Sequence, residues 1–218
     1  MKHTEKELAI LKDEVSEMWR LVLSQLEKAR QAYLGGDIEL AREVIAREKR
    51  VDTFELRVDG DCENYIALYA PVAVDLRLVL SLIKISGTLE RIGDFAEGIA
   101  RHVIAAKPQA ELAAQLKIEE MFATVISMLS DSYLALDAEN TRLAGRIMQK
   151  DEQVDALYTS AVGTLAAWTE AEPKRAREAL ETMLVVRKIE RVGDHCSNIV
   201  EEIVFYIDAK ILKHQKKE

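Results

Sequence analysis

Four pairs of acidic residues with a common spacing are the feature of this sequence that could carry chemistry. The pairs are Glu48/Asp52, Glu90/Asp94, Asp151/Asp155 and Glu190/Asp194. On a helix, residues four apart lie on one face, so each pair places like charges together, which destabilises the helix mildly unless a cation offsets them. Carboxylate oxygens are hard ligands that suit Mg²⁺, Mn²⁺, Ca²⁺ or iron. The spacing therefore predicts metal binding by these eight residues.

The pairs occupy equivalent positions in an internal repeat. Residues 17–52 align without a gap on residues 120–155, and 10 of the 36 positions are identical. A shift of 100 residues then aligns residues 90–94 (ERIGD) with residues 190–194 (ERVGD). This self-similarity predicts two similar units in tandem, each with its own acidic pairs.

Long helices must position the pairs. Apolar residues recur at spacings of three and four, and polar breaks or prolines separate six segments. These segments lie at about 4–34, 37–69, 72–106, 109–136, 140–170 and 173–212. At the first break, Gly35 and Gly36 suit the end of a helix, and Asp37 suits the N-cap of the next one. No segment alternates with period two, so no strands are expected.

The predicted fold class is all-α, with six long helices forming two tandem, internally repeated three-helix bundles over residues 1–107 and 108–218. Each unit supplies one acidic pair from its second helix and one from its third. If those helices are neighbours, four carboxylates face one another, which is enough to hold more than one ion. Gly93 and Gly193, next to an acid of each third helix, would allow close helix approach or leave room for a ligand. The competing interpretation is that Arg91 and Arg191 pair with the acids in ordinary surface salt bridges.

The composition of the chain argues against several classes of protein. The formal net charge is −8, which argues against nucleic-acid binding. Cys62 and Cys196 fit no disulfide framework or zinc pattern. The sequence shows neither a basic-then-apolar leader nor 18 consecutive apolar residues, so a cytoplasmic location is expected. A basic tail, formed by Lys210, Lys213, His214, Lys216 and Lys217, ends the chain either as a solvated helix end or as a segment attracted to an anionic membrane surface.

The sequence favours a binding or regulatory protein over an enzyme. It lacks phosphate-loop, dinucleotide-binding, nucleophile-elbow and zinc-protease motifs. Its four histidines offer no base–nucleophile arrangement, and His195 is expected at a bundle boundary rather than as a ligand. Two alternatives stay open: a carboxylate-bridged dimetal enzyme on a helical bundle, although its usual Glu-x-x-His pairs do not occur here, and a metal-free helical adaptor.

Three features occur together in this sequence: the ERIGD and ERVGD motifs, the earlier acidic pairs, and Asp75-Leu76-Arg77. In these features the chain resembles the PhoU family along essentially its whole length. The resemblance implies two three-helix bundles, a homodimer and multinuclear clusters of iron or zinc, with Mn or Mg as further candidates. The ligands that it implies are the eight carboxylates named above. It also implies a negative regulator of phosphate uptake and of the phosphate-starvation response. Such a protein works in the cytoplasm beside the ATPase subunit of the phosphate transporter and a sensor histidine kinase.

The two halves depart from this pattern differently. Gly98 stands in the first half where the second half has Asn198, and Phe95 stands opposite His195. We therefore expect the two clusters to differ in nuclearity or affinity.

Overall fold

The computed structural model describes residues 3–106 and 108–212, which form seven α-helices and no strand. The helices are α1 (His3–Gly35), α2 (Ile38–Tyr69), α3 (Ala73–Ala106), α4 (Ala110–Gln115), α5 (Ile118–Asp137), α6 (Ala144–Ala171) and α7 (Ala176–Asp208). Single 3₁₀ turns, Thr141–Leu143 and Pro173–Arg175, precede α6 and α7. The all-α prediction with six long helices is confirmed.

The short helix α4 is the main difference from the sequence prediction, which had one helix over residues 109–136. The chain breaks at Lys117, whose φ of +53° is left-handed. Leu116 before the break and Ile118 after it are both buried. The turn thus allows both side chains to enter the core. No glycine or proline marks this turn, so no local residue signal predicts it.

The break between α1 and α2 has the expected chemistry. Gly36 has a φ of +63°, a conformation that glycine adopts at little cost. Asp37 then caps α2, because its Oδ1 accepts a hydrogen bond from the backbone N–H of Leu40 at 3.0 Å.

Stripes of apolar residues determine which face of each helix packs in the core. Every member of the α3 stripe is fully buried: Leu82, Ile85, Leu89, Ile92, Ala96 and Ile99. α1 and α2 pack on α3 in the first unit, and α5 and α6 pack on α7 in the second. This packing places the second and third helices of each unit side by side, which is what the acidic pairs require.

The two units meet along α3 and α7, which run antiparallel. Arg77 Nε donates to the backbone carbonyl of Tyr206 at 3.1 Å, and Ser81 Oγ donates to that of Glu202 at the same distance. Lys84 also pairs with the Glu202 carboxylate at 3.0 Å. A second junction joins α1 to α5. The buried residues of both units form one hydrophobic core. The predicted boundary between residues 107 and 108 falls between α3 and α4.

Two sequence features concern membranes. None of the helices in residues 3–106 and 108–212 has the length and apolarity needed to cross a membrane. Of the basic tail, only Lys210 belongs to the described part, two residues beyond the end of α7. Lys213, His214, Lys216 and Lys217 lie outside the described residues, so the predicted attraction to an anionic surface stays a prediction.

Candidate metal centre

The first acidic groove lies between α2 and α3. Its carboxylates come from Glu48, Asp52, Glu55, Glu90, Asp94 and Glu97. The two predicted pairs of the first half therefore share one groove, as the repeat required. Glu55 was missed by the sequence reasoning, although it lies seven residues after Glu48 on the same helix face.

Glu48 is the most buried acid of this groove, with 7% of its surface exposed. Its Oε2 accepts a hydrogen bond from Gln25 on α1, whereas its buried Oε1 has no hydrogen-bond partner among the described residues. Burial, followed by the charges of Asp94 and Asp52, raises the pKa of Glu48 to about 7, despite the hydrogen bond from Gln25. An unpartnered buried carboxylate oxygen is costly, and a bound cation would offset that cost.

The other acids of the groove add to the concentration of negative charge. Burial, followed by the charge of Asp94, raises the pKa of Glu90. Burial and the charge of Asp59 raise the pKa of Glu55. Arg91 opposes these effects, since its guanidinium lies 3.5 Å from Glu90 and 3.6 Å from Asp94. Lys49 and Arg101 also line the groove, and Arg101 pairs with Glu97 at 2.6 Å. The surface salt bridges of the competing interpretation are therefore present, but six carboxylates face three basic side chains.

Gly93 allows α3 to approach the Glu48 carboxylate closely. A Cβ atom at this position would lie 3.2 Å from Glu48 Oε1 and 3.3 Å from Val51 Cγ1. The predicted role of this glycine in close helix approach is confirmed.

The second acidic groove is the space between α6 and α7 that faces Asp151, Asp155, Glu190 and Asp194; Tyr158 and Ser197 stand where the first groove has Glu55 and Glu97. A Cβ atom at Gly193 would lie 3.2 Å from Asp151 Oδ1, which matches the contact of Gly93 with Glu48. Burial, followed by the charge of Asp194, raises the pKa of Glu190, and Asp155 adds to that shift. Burial also raises the pKa of Asp194, whereas Arg191, at 3.5 Å, opposes the shift. All four predicted residues of the second half therefore lie near one another.

The differences between the halves have packing explanations. A Cβ atom at Gly98 would lie 2.8 Å from Lys188 Nζ, so the glycine leaves room for a lysine that reaches across from α7. His195 lies against Phe95 at the α3–α7 boundary, with ring centroids 5.5 Å apart. Burial and the nearby Arg191 and Arg91 lower the pKa of His195 to about 4. Its boundary position agrees with the sequence prediction.

The donor chemistry of both grooves suits a hard metal ion. Within residues 3–106 and 108–212, however, no three His, Cys, Asp or Glu side chains are close enough to ligate one ion together. Mutual repulsion among carboxylates favours such spreading, so binding requires the side chains to rotate towards one another. The eight predicted ligands fit a metal site in type and placement, and their ligation stays a prediction.

Replacing Gly93 by alanine tests the close contact with Glu48. In an open helix this substitution stabilises by up to about 1 kcal/mol. At Gly93 the added methyl group displaces the Glu48 carboxylate or Val51, so we expect no gain in melting temperature in the presence of chelator. The matched control is Gly163→Ala in α6, where a Cβ atom meets nothing within 4 Å, and there the gain is expected. Equal gains in both variants would contradict the close contact.

The fold and the grooves together define a class of protein: a two-repeat helical bundle with one acidic groove on each repeat. A family model described as the PhoU domain matches residues 15–103 and 118–203. The chain therefore belongs to the PhoU family.

Known proteins resemble the chain over nearly its whole length. A phosphate-specific transport system accessory protein PhoU homolog from Aquifex aeolicus is 34% identical over 210 residues, which is 96% of this chain and 95% of the relative. The crystal structure of PhoU from Pseudomonas aeruginosa has a TM-score of 0.86 at 27% identity, covering 94% of this chain and 99% of that one. The phosphate transport system regulatory protein PhoU from Streptococcus pneumoniae has a TM-score of 0.89 at 27% identity, covering 97% and 100%. The Aquifex aeolicus relative is named as an accessory protein and the Streptococcus pneumoniae protein as a regulatory protein, neither as an enzyme, in agreement with the prediction.

Proposed function

We propose that this protein is a metal-binding, cytoplasmic negative regulator of phosphate uptake and of phosphate-starvation signalling. The unpartnered, buried Oε1 of Glu48, in a groove lined by five further carboxylates, is the observation that supports metal binding most directly. The family and the names of its relatives support a role beside a phosphate transport system.

Each groove would hold its ions through its four predicted carboxylates. In the first groove Glu48 and Asp52 supply oxygens from α2, and Glu90 and Asp94 supply them from α3. In the second groove Asp151 and Asp155 lie on α6, and Glu190 and Asp194 lie on α7. Iron, zinc, manganese or magnesium ions would supply positive charge that outweighs the local carboxylates. The loaded surface could then bind phosphate or an acidic patch on a partner.

The proposed partners are a second copy of this chain, the ATPase subunit of the phosphate transporter and a sensor histidine kinase. The phosphate transport system named for the relatives supports the transporter. Membrane association would be peripheral and would involve the basic tail.

Elemental analysis of protein purified without chelator or nickel resin tests metal binding. We expect several ions per chain in the wild-type protein and a loss of nearly all of them when Glu90, Asp94, Glu190 and Asp194 are replaced by alanine. Circular dichroism should show an unchanged helical signal, because these side chains are not in the hydrophobic core. If wild-type protein held no metal even after incubation with Fe²⁺, Mn²⁺ or Zn²⁺, the metal-free adaptor would replace this proposal.

Phosphate uptake by cells tests the regulatory part separately. In a strain lacking the gene, we expect phosphate uptake to rise several-fold and the starvation response to stay active in phosphate-rich medium. The wild-type gene should restore repression, whereas the quadruple alanine variant, expressed at the same level, should not. Full repression by a metal-free variant would dissociate metal binding from regulation.

A further inference from the structure

Gln25, on α1, is a buried amide that contacts the first acidic groove from behind. Its surface is fully buried, and its Nε2 donates to the backbone carbonyl of Val44 at 3.3 Å and to Oε2 of Glu48. Both neighbouring atoms accept hydrogen bonds, so the amide must direct its NH₂ group towards them. One hydrogen bond therefore ties the Glu48 carboxylate to α1, and the other ties Gln25 to the α2 backbone one turn before Glu48.

Packing alone does not explain this amide. Its Oε1 is buried and has no hydrogen-bond partner in the described part of the chain, which disfavours a glutamine at this position. The equivalent position of the second unit, at a shift of 103, is Met128, which is also fully buried. An apolar side chain of similar length therefore fills the same place in the repeat without an unpartnered oxygen.

We infer that Gln25 is a positioning residue for the first groove. By donating to Oε2 it fixes the rotation of the Glu48 carboxylate, and it leaves Oε1 as the oxygen with free lone pairs. Partners of this kind orient metal ligands and strengthen binding. The inference rests on the proposed metal binding and goes beyond it, because it assigns a role to a residue outside the acidic pairs.

The second groove cannot be held in the same way. The thioether of Met128 has no N–H to donate, and Asp151, which corresponds to Glu48, is one methylene shorter. Positioning by Gln25 thus has no counterpart at the repeat-equivalent position of the second groove. The substitution Gln25→Met, which copies the second unit, should therefore weaken metal binding in the first groove only.

Manganese binding tests this in protein whose second groove is disabled by Glu190→Ala and Asp194→Ala. Free Mn²⁺ is followed by electron paramagnetic resonance during titration. We expect Gln25→Met to weaken Mn²⁺ binding by about tenfold at unchanged stoichiometry. The spectrum of the bound ion at saturation should also change, because its ligand field depends on the orientation of Glu48. A residue that only supports the fold would lower the amount of bound Mn²⁺ without changing that spectrum.

The matched control places Gln25→Met in protein whose first groove is disabled by Glu90→Ala and Asp94→Ala, where Mn²⁺ affinity should not change. A second variant, Gln25→Leu, repeats the test with another apolar side chain, and circular dichroism identifies which variants are folded. Equal affinity and an identical bound spectrum with and without Gln25 would overturn the positioning role while leaving metal binding intact. Weakening in both backgrounds would also overturn it, as a general structural effect. Failure of wild-type protein to bind Mn²⁺, Fe²⁺ or Zn²⁺ would instead overturn the proposed function.

Discussion

Replacing Trp19 by alanine is expected to lower the free energy of unfolding by about 3–5 kcal/mol and the melting temperature by about 10 °C. Trp19 is 1% exposed and lies on α1, where the first unit meets α5 of the second. Its Nε1 donates to the backbone carbonyl of Leu129 at 3.1 Å, and its ring packs edge-on against Tyr133 with centroids 5.8 Å apart. The substitution removes a large buried ring and the hydrogen bond across the junction. Thermal and urea unfolding, followed by circular dichroism, measure the loss.

Two controls separate the contributions. Trp19→Phe keeps an aromatic ring in the core but removes the indole N–H and part of the ring volume, so it should cost about 2 kcal/mol, less than the alanine substitution. Trp168→Ala removes a half-buried tryptophan whose ring lies 4.1 Å from the guanidinium of Arg175, and it should cost about 1 kcal/mol. Equal destabilisation by Trp168→Ala and Trp19→Ala would contradict the prediction that packing at the junction between the units contributes more to stability than packing around Trp168.

The helix boundaries were predictable where the residue types at a helix end indicate a break in the chain. Gly36 and Asp37 mark the first helix break with the residue types that such a turn favours, and the structure has the predicted cap there. The break at Lys117 has no such signal, because the burial of Leu116 and Ile118 in the assembled bundle outweighs local propensity. Tertiary packing, which the sequence does not display directly, decided that boundary.

The candidate site was predictable where acidic pairs recur at equivalent positions in both halves of the sequence. One acidic pair four residues apart is common on solvated helices, whereas four pairs at equivalent positions indicated that α2 faces α3 and that α6 faces α7. No repeated residue type pointed to Gln25, because its counterpart in the second unit is Met128. Its contact with Glu48 depends on how α1 packs behind the groove, and only the three-dimensional arrangement shows that.

Replacing Glu48 by glutamine is expected to stabilise the metal-free protein by about 2 kcal/mol above pH 7. Burial and the neighbouring acids raise the pKa of folded Glu48 to about 7, from an ordinary value of 4.5. Below pH 4.5 the carboxyl is protonated in both the folded and unfolded states, so its burial does not lower the free energy of unfolding there. Between pH 4.5 and 7 the unfolded chain releases the proton while the folded protein keeps it, so wild-type stability falls as pH rises. Urea unfolding in chelator, from pH 4 to 8, should show the two proteins diverging in that range.

The matched control, Glu43→Gln, makes the same substitution five residues earlier on α2. Glu43 is paired with Lys28 and Arg47, and the hydrogen bond from Lys28 is the main reason that its pKa is lowered. Removing this charge should slightly destabilise the protein at neutral pH, which is the opposite sign to Glu48→Gln. Saturating metal should reverse the advantage of Glu48→Gln, because the carboxylate that destabilises the metal-free protein is then a ligand that the amide replaces poorly. Equal stability of the wild-type and Glu48→Gln proteins at every pH in chelator would show that the buried carboxylate imposes no such cost.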